Sequence, residues 1–268
     1  MVVNSLPANL SQAPAAVGWP KISVVMPSFN QARYLERALQ SVWSQAYPDL
    51  EFLVFDAGST DGSTDILQRF DARLSYWRSG PDRGQSDAID RGWRRSNGEI
   101  LAWLNSDDFY YPQALSHVAT LFRRYRELKV LWGAIAIVDE REQRLRVKPA
   151  QRLSAADLLL WKAVPGQAAA FIRREVFTTL GGPRLDLHYT MDWEFWLRIL
   201  LHYPPDCIGL TQQVLAGARD WSGAKTRNAA GRDALEVRRV LQELFAGGEL
   251  PPELRKLRRP ALARSWWR

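Results

Sequence analysis

Apolar positions in the first half of the chain switch repeatedly between two periods. Ile22–Met26 (ISVVM) is an unbroken, mostly β-branched run closed by Pro27, the pattern of a buried strand. From Ala32 to Gln45 the apolar residues Leu35, Ala38, Leu39 and Val42 recur at helical spacing on one face. Glu51–Phe55 (EFLVF) predicts a second strand, and Thr64–Phe70 a short helix entered through Gly62-Ser63. Leu74–Trp77 predicts a third strand, ended by Gly80-Pro81. Ser86–Arg95 reads as a helix that turns Ala88, Ile89, Gly92 and Trp93 toward a core, and Ile100–Leu104 (ILAWL) as a further strand. Pro112–Tyr125 predicts a helix with proline near its first turn, where the missing N–H costs nothing. The second half is less regular. It predicts strands at Val130–Val138 and Ala168–Ile172, with helices at Ala155–Trp161 (capped by Ser154), Arg174–Leu180, Asp192–Leu201 and Asp233–Phe245.

Strand–helix–strand repetition implies a largely parallel sheet covered by helices on both faces. Ligands of such sheets bind beyond the carboxyl ends of the strands. Three loops would therefore share one rim: Pro27–Asn30, Asp56–Asp61 and Asn105–Asp108. With no internal repeat and no long linker, the expected organisation is a loose leader over 1–20, one α/β domain over 21–230, and a C-terminal helix with a basic Trp/Arg tail over 231–268.

The 268 residues are 46% hydrophobic and 24% charged, an ordinary globular composition that excludes a disordered chain, a collagen and a small disulfide scaffold. The single Cys207 has no disulfide partner, which suits a reducing compartment. No apolar run approaches the roughly 20 residues that span a bilayer. Residues 1–20 contain no Lys or Arg and lack the pattern of a secretory signal, so a cytoplasmic location is expected. Charge changes the picture more. The formal net charge is +7, and the last fourteen residues carry Arg255, Lys256, Arg258, Arg259, Arg264 and Arg268 with no acid. The remainder is close to neutral, so the chain lacks the basic body of a nucleic-acid binder. Arginines beside Trp266-Trp267, Leu257 and Leu262 suit an anionic membrane surface, placing the protein peripherally at the inner face. A solvated basic end explains the same residues.

Asn105-Ser106-Asp107-Asp108 directly follows an apolar strand. Two neighbouring carboxylates repel, and a hard cation such as Mg²⁺ or Mn²⁺ relieves that cost while leaving sites for phosphate oxygens. A turn or helix cap would use the same residue types. Asp56-Ala57-Gly58-Ser59-Thr60-Asp61-Gly62 places a carboxylate at another strand end, where it could accept hydrogen bonds from a base or ribose; a glycine-rich turn is the competing reading. Neither the GxGxxG fingerprint nor the GxxxxGK[ST] phosphate loop occurs.

Taken in order, these segments resemble the family-2 glycosyltransferases of the GT-A fold. The resemblance runs through Ser23-Val24-Val25-Met26-Pro27-Ser28-Phe29-Asn30, Phe55–Ser63, Pro81-Asp82-Arg83-Gly84-Gln85-Ser86-Asp87-Ala88, Leu104–Asp108 and Met191-Asp192-Trp193-Glu194-Phe195-Trp196-Leu197-Arg198. It covers roughly residues 21 to 226. It implies an α/β fold of GT-A type, with a mostly parallel central sheet flanked by helices and a helical basic C-terminal extension. It also implies inverting transfer, of hexosyl type, from a UDP-, GDP- or dTDP-linked sugar with Mn²⁺ or Mg²⁺, in the building of a cell-surface or exported glycan on a glycan or lipid-linked acceptor. By the same resemblance Asp107 and Asp108 match the metal motif, with Asp108 orienting the site or binding a water. Asn105, standing where relatives often carry Asp, and Ser106 lie beside the donor. Pro27, Ser28, Phe29 and Asn30 line the nucleotide cleft, and Asp56 reads base or ribose. Asp82, Arg83 and Asp87 face the diphosphate or donor sugar. Asp192 is the general base, although Met191 replaces the usual Glu before it; Glu194 could share that role, and a helix cap would also explain Asp192. Trp193 and Trp196 read as core. Ala218–Thr226 resembles a mobile closing loop whose Arg219 and Lys225 neutralise the diphosphate. Two further classes fit the sequence: a nucleotide-sugar-binding module without transfer, and a sugar-phosphate nucleotidyltransferase.

Overall fold

The computed structural model describes residues 18–247 and 250–265. Its first half runs β1 (Ile22–Ser28), α1 (Ala32–Trp43), β2 (Leu50–Asp56), α2 (Ser63–Arg69), β3 (Tyr76–Ser79), α3 (Gln85–Arg95), β4 (Ile100–Trp103), β5 (Phe109–Tyr110) and α4 (Ala114–Arg124). Its second half runs β6 (Val130–Val138), β7 (Arg144–Lys148), α5 (Ala155–Leu159), β8 (Ala170–Arg173), α6 (Arg174–Leu180), α7 (Met191–His202), β9 (Ile208–Arg219), α8 (Arg232–Ala246), α9 (Pro252–Arg255) and α10 (Arg258–Arg264).

All nine strands form one sheet in the order β3-β2-β1-β4-β8-β6-β9-β5, with β7 hydrogen-bonded to β6. The run β3-β2-β1-β4 is parallel, as the alternating pattern requires. Beyond β4 the sheet turns mixed: β8 is antiparallel to both β4 and β6, while β9 is parallel to β6. The parallel character expected for the sheet therefore belongs to its N-terminal part. β6 changes neighbours along its length, pairing Val130–Trp132 with β8 and Ile135–Val138 with β7.

The period of two along the strands sorts side chains into two cores. Ile22, Val24 and Met26 of β1, with Ile100 and Ala102 of β4, face the layer of α1, α2 and α4. Val25, Leu101 and Trp103 face the opposite layer of α3, α5, α6, α7 and α8. Gly92 of α3 is required there, because a Cβ would meet Val25 Cγ1 at 2.5 Å. Trp93, Trp103, Trp193 and Trp196 are each at most 1% exposed, so Trp193 and Trp196 are core side chains. Burying such a side chain is worth a few kcal/mol, and these carry the first turn of α7.

Two sequence expectations change. The third strand starts at Tyr76 instead of Leu74. The stretch from Ile208 to Arg219 is a twelve-residue strand, so the expected closing loop begins inside β9. In the C-terminal part, α10 packs against α8 and buries Ala261, while Leu257 and Leu262 are partly buried against the second core. Trp266-Trp267 and most of the leader lie outside the described residues. Residues 18–20 are docked: Trp19 packs edge-on against Tyr47, whose hydroxyl donates to the Pro20 carbonyl at 2.6 Å. Among the described residues no helix is long and apolar enough to cross a membrane.

Candidate active site

The parallel strands end in line. Ser28 of β1 pairs with Asp56 of β2, and Val25 of β1 with Trp103 at the end of β4, so the loops that follow β1, β2 and β4 leave the sheet along one rim. A crevice of about 680 Å³ opens there. Pro27, Ser28 and Phe29, then Asn105, Ser106, Asp107 and Asp108, and also Asp82, Asp192, Arg219 and Lys225 all line it. Residues from both halves of the sequence thus meet in one cavity. The Ser28 hydroxyl is buried and has no hydrogen-bond partner among the described residues, and its residue lines the crevice.

Asp107 and Asp108 occupy different places. Asp108 is 7% exposed, and its carboxylate accepts the Arg219 backbone N–H at 3.0 Å. Burial and the adjacent Asp107 hold the Asp108 acid well above the usual carboxylate range. Asp107 is half-buried at the crevice; one carboxylate oxygen accepts the Trp221 indole N–H at 3.0 Å, and the other has no donor among the described residues. Of the two expected metal residues, Asp107 offers the open oxygen while Asp108 supports the turn behind it. Asn105 belongs to an amide chain: it accepts from Gln85 at 2.6 Å and donates to Gln167 at 3.2 Å, and Gln167 donates to the Trp103 carbonyl at 2.7 Å.

Asp192 stands in the first turn of α7, with Thr190 in the preceding cap position. Its carboxylate accepts the Trp193 N–H at 2.8 Å. Burial pushes its acid up, against the pull of that N–H, Lys148 and Lys225. A second cavity of about 150 Å³ adjoins the first, and Asp192, Asn105 and Lys225 line both. Lys225 donates to Gln85 at 2.9 Å between them. Burial lowers the Lys225 pKa, which nearby Asp192 partly offsets. His188, exposed in its loop, lines the second cavity.

Six of the expected residues are already engaged in contacts within the protein. Asp56 reaches the rim, but its carboxylate is 1% exposed and accepts the N–H groups of Gly58 and Ser59 and the hydroxyls of Ser59 and Ser79. It organises the loop and does not line the crevice. Asn30 similarly bridges to Thr60 and Ser59. Arg83 and Asp87 pair with each other beside the crevice, and Asp87 also pairs with Arg91. Burial would raise the Asp87 acid, but hydrogen bonds from Arg83 and the charge of Arg91 hold it below its ordinary range. Glu194 is bound by Arg198 and is unavailable as a second base. Arg219 is the largest change. Its side chain, 2% exposed, donates to the carbonyls of Asp107, Asp139 and Glu140 and to the Glu142 carboxylate, which withdraws it from a diphosphate.

The sequence reading did not single out Gln85, Gln167, Lys148 or Trp221. Gln85 and Trp221 lie within segments that carried the resemblance. Gln167 sits in a short turn before β8, and Lys148 ends β7; neither position bears a local pattern.

The family model for glycosyl transferase family 2 matches residues 23–181. An uncharacterized glycosyltransferase of Mycobacterium tuberculosis is 31% identical over 188 residues, covering 69% of this chain and 71% of that protein. One of Rickettsia felis is 26% identical over 196 residues, covering 70% of this chain but 32% of its own length. The chain thus spans only about a third of that relative. Among solved structures, Staphylococcus aureus TarS residues 1–349 in complex with UDP-GlcNAc superposes with a TM-score of 0.66 at 17% identity, covering 92% of this chain and 71% of that one. A mannosyltransferase from Pyrobaculum calidifontis in complex with GDP-Man and Mn²⁺ gives 0.63 at 19%, covering 98% and 77%. These likenesses show the GT-A fold.

Proposed function

This chain belongs to glycosyl transferase family 2, and from that premise we propose that it moves a hexosyl group from a nucleoside-diphosphate sugar to an acceptor hydroxyl, with inversion and with the help of Mn²⁺ or Mg²⁺. One observation carries the reading: Asp107 and Asp192, far apart in sequence, line a single crevice at the carboxyl ends of parallel strands. The nucleotide-bound neighbours, one with GDP-Man and Mn²⁺, support a nucleotide-sugar donor on this fold.

The residues fit a divalent cation. Among the described residues no group of three or more His, Cys, Asp and Glu side chains is arranged to hold a metal. Mg²⁺ and Mn²⁺ at such sites take only one or two carboxylates, and the substrate's phosphates supply further ligands. Asp107 offers that carboxylate, with one oxygen free of donors among the described residues. Bound there, the cation would neutralise charge developing on the leaving diphosphate. Pro27, Phe29 and the Ser28 hydroxyl would receive the nucleoside. Lys225 would add a cation beside the leaving group. Asp192 would take the acceptor proton as that oxygen bonds to the anomeric carbon and the bond to the diphosphate breaks. The acceptor we favour is a glycan or lipid-linked glycan on the cytoplasmic side of a membrane, where the cations of residues 255–268 would meet anionic headgroups.

A thermal-shift screen of UDP-, GDP- and dTDP-sugars with and without Mn²⁺ tests the reading. A matching donor raises the melting temperature of the wild type in a Mn²⁺-dependent way. The Asp107→Ala variant should lose the Mn²⁺-dependent part. An unchanged shift in that variant would remove Asp107 from the site.

A further inference from the structure

We propose that Trp221 is a positioning residue that latches the 220–227 segment onto the Asp107 carboxylate, so that closure of the segment and cation binding at Asp107 strengthen each other. The proposal deepens the reading of Asp107 as the cation's ligand and rests on it.

Trp221 donates its indole N–H to Asp107 across 114 positions of sequence, at 3.0 Å. An indole can only donate, and a carboxylate is its strongest class of acceptor. The ring is held from the other side by Tyr34, edge-on at 5.1 Å between centroids. The guanidinium of Arg219, two residues earlier, lies 4.5 Å from the same Tyr34 ring. The chain then doubles back: Ala224 donates its N–H to the Trp221 carbonyl at 3.0 Å. Gly223 is required at this bend, because a Cβ there would fall 2.2 Å from the indole. Gly223, Ala224, Lys225 and Thr226 then line the crevice, and Lys225 makes the far anchor on Gln85. Ser222 and residues 225–228 are exposed. An exposed segment that walls the crevice is thus held at its start by the Asp220 N–H on the Val138 carbonyl, then by Trp221 on Asp107 and Tyr34, and at its far side by Lys225 on Gln85 and over Tyr189, and one of these anchors is the acid proposed to bind the cation.

Two effects follow. The hydrogen bond restrains one Asp107 oxygen and leaves the other for a cation. A cation that fixes the Asp107 carboxylate in place also fixes the acceptor to which Trp221 is tied, so each event lowers the ordering cost of the other. Coupling of this kind is reciprocal, so the segment should close more firmly when Mn²⁺ is bound, and Mn²⁺ should bind more tightly when the latch is intact.

Trypsin reads the opening of the segment directly, since Lys225 and Arg227 are exposed and cleavage tracks the open population. Without metal, Trp221→Phe keeps an aromatic ring against Tyr34 but removes the donor. It should raise cleavage at Lys225 and Arg227 by about 10- to 100-fold, the range for one hydrogen bond to a charged group. Asp107→Ala should do the same, and the double variant should cleave no faster than either single. Mn²⁺ should slow cleavage of the wild type and have little effect on Trp221→Phe. The dissociation constant for Mn²⁺ alone, read from the free-ion paramagnetic resonance signal, should rise about 5-fold or more in that variant. Single effects that multiply in the double variant would overturn the latch. Equal Mn²⁺ affinity in wild type and Trp221→Phe would overturn the coupling. Failure of Mn²⁺ to bind the wild type would overturn the reading of Asp107 itself, with the metal-free cycle still judging the latch. Should Trp221→Phe not fold, unchanged cleavage of Asp107→Ala overturns the latch by itself.

Discussion

The two walls of the crevice are built in different ways. The wall carrying Pro27, Ser28, Asn105 and Asp107 sits on the ends of parallel strands whose side chains are buried on both faces. Its acids and hydroxyls are placed by backbone that has nowhere else to go. The wall carrying Asp192 and Lys225 comes from a helix start and an exposed segment, positioned by individual side-chain contacts: Trp193 of α7 on the Leu158 carbonyl, Trp221 on Asp107, Lys225 on Gln85. The first arrangement is rigid and suits binding of a fixed group. The second can open, as admission of a donor and an acceptor requires.

On that contrast, a change at Asp192 should alter turnover more than binding. Asp192→Asn should reduce transfer by about 10²- to 10⁴-fold with donor affinity kept, measured by turnover beside calorimetric titration. Donor binding lost to the same extent would place Asp192 on the donor-binding wall. Trp196→Ala removes a side chain 0% exposed beneath α7, and should cost about 3–5 kcal/mol in urea unfolding. A loss below about 1 kcal/mol would mean that α7 is not supported as described. Lys148→Met addresses the charge around Asp192. The Asp192 acid is raised by burial and drawn down in part by Lys148, and the base must be ionised to act. Removing Lys148 should therefore move the acid limb of the kcat/KM profile to higher pH. A limb that stays or moves down would separate Lys148 from Asp192.

The smallest expected effect lies away from both walls. Ser154 caps α5 through a reciprocal box with Asp157, whose acid is pulled down to about 2 by the Ser154 hydroxyl, Lys162 and the Ser154 N–H. Ser154→Ala should cost about 1 kcal/mol without changing activity. A depressed carboxylate stabilises the fold above its unfolded pKa of roughly 3.9, and that contribution is lost as pH falls through the folded value. The difference between wild type and Ser154→Ala should thus be full near neutrality and shrink between about pH 4 and 2. A constant difference in acid-unfolding curves would disprove the assignment.

The parallel wall was largely legible in the sequence, because continuous β-branched runs closed by Pro27 or an acidic turn have few other places to fold. β9 was not. Gly209, Gln212, Gln213 and Gly217 interrupt its pattern, and its pairing with β6 shifts register twice near Gly133 and Ala134. β7 is short and mostly exposed, so its alternation of arginines with Leu145 and Val147 carries little burial signal. The same limit applies to roles. An acid at a strand end reads alike whether its oxygens face a ligand, as at Asp107, or are all taken by nearby N–H and hydroxyl groups, as at Asp56. Only the folded loop tells them apart.

Arg219 holds one further lesson. Its guanidinium gathers the β6–β7 turn at Asp139 and Glu140, the acidic segment at Asp107, and Glu142, which also pairs with Arg37 of α1. Counting its own strand, three stretches of chain meet at a single planar cation, and Glu142 extends the tie to α1 through Arg37. The hairpin cannot drift without tugging the acids, so any relative that trades this arginine away must re-engineer three junctions at once.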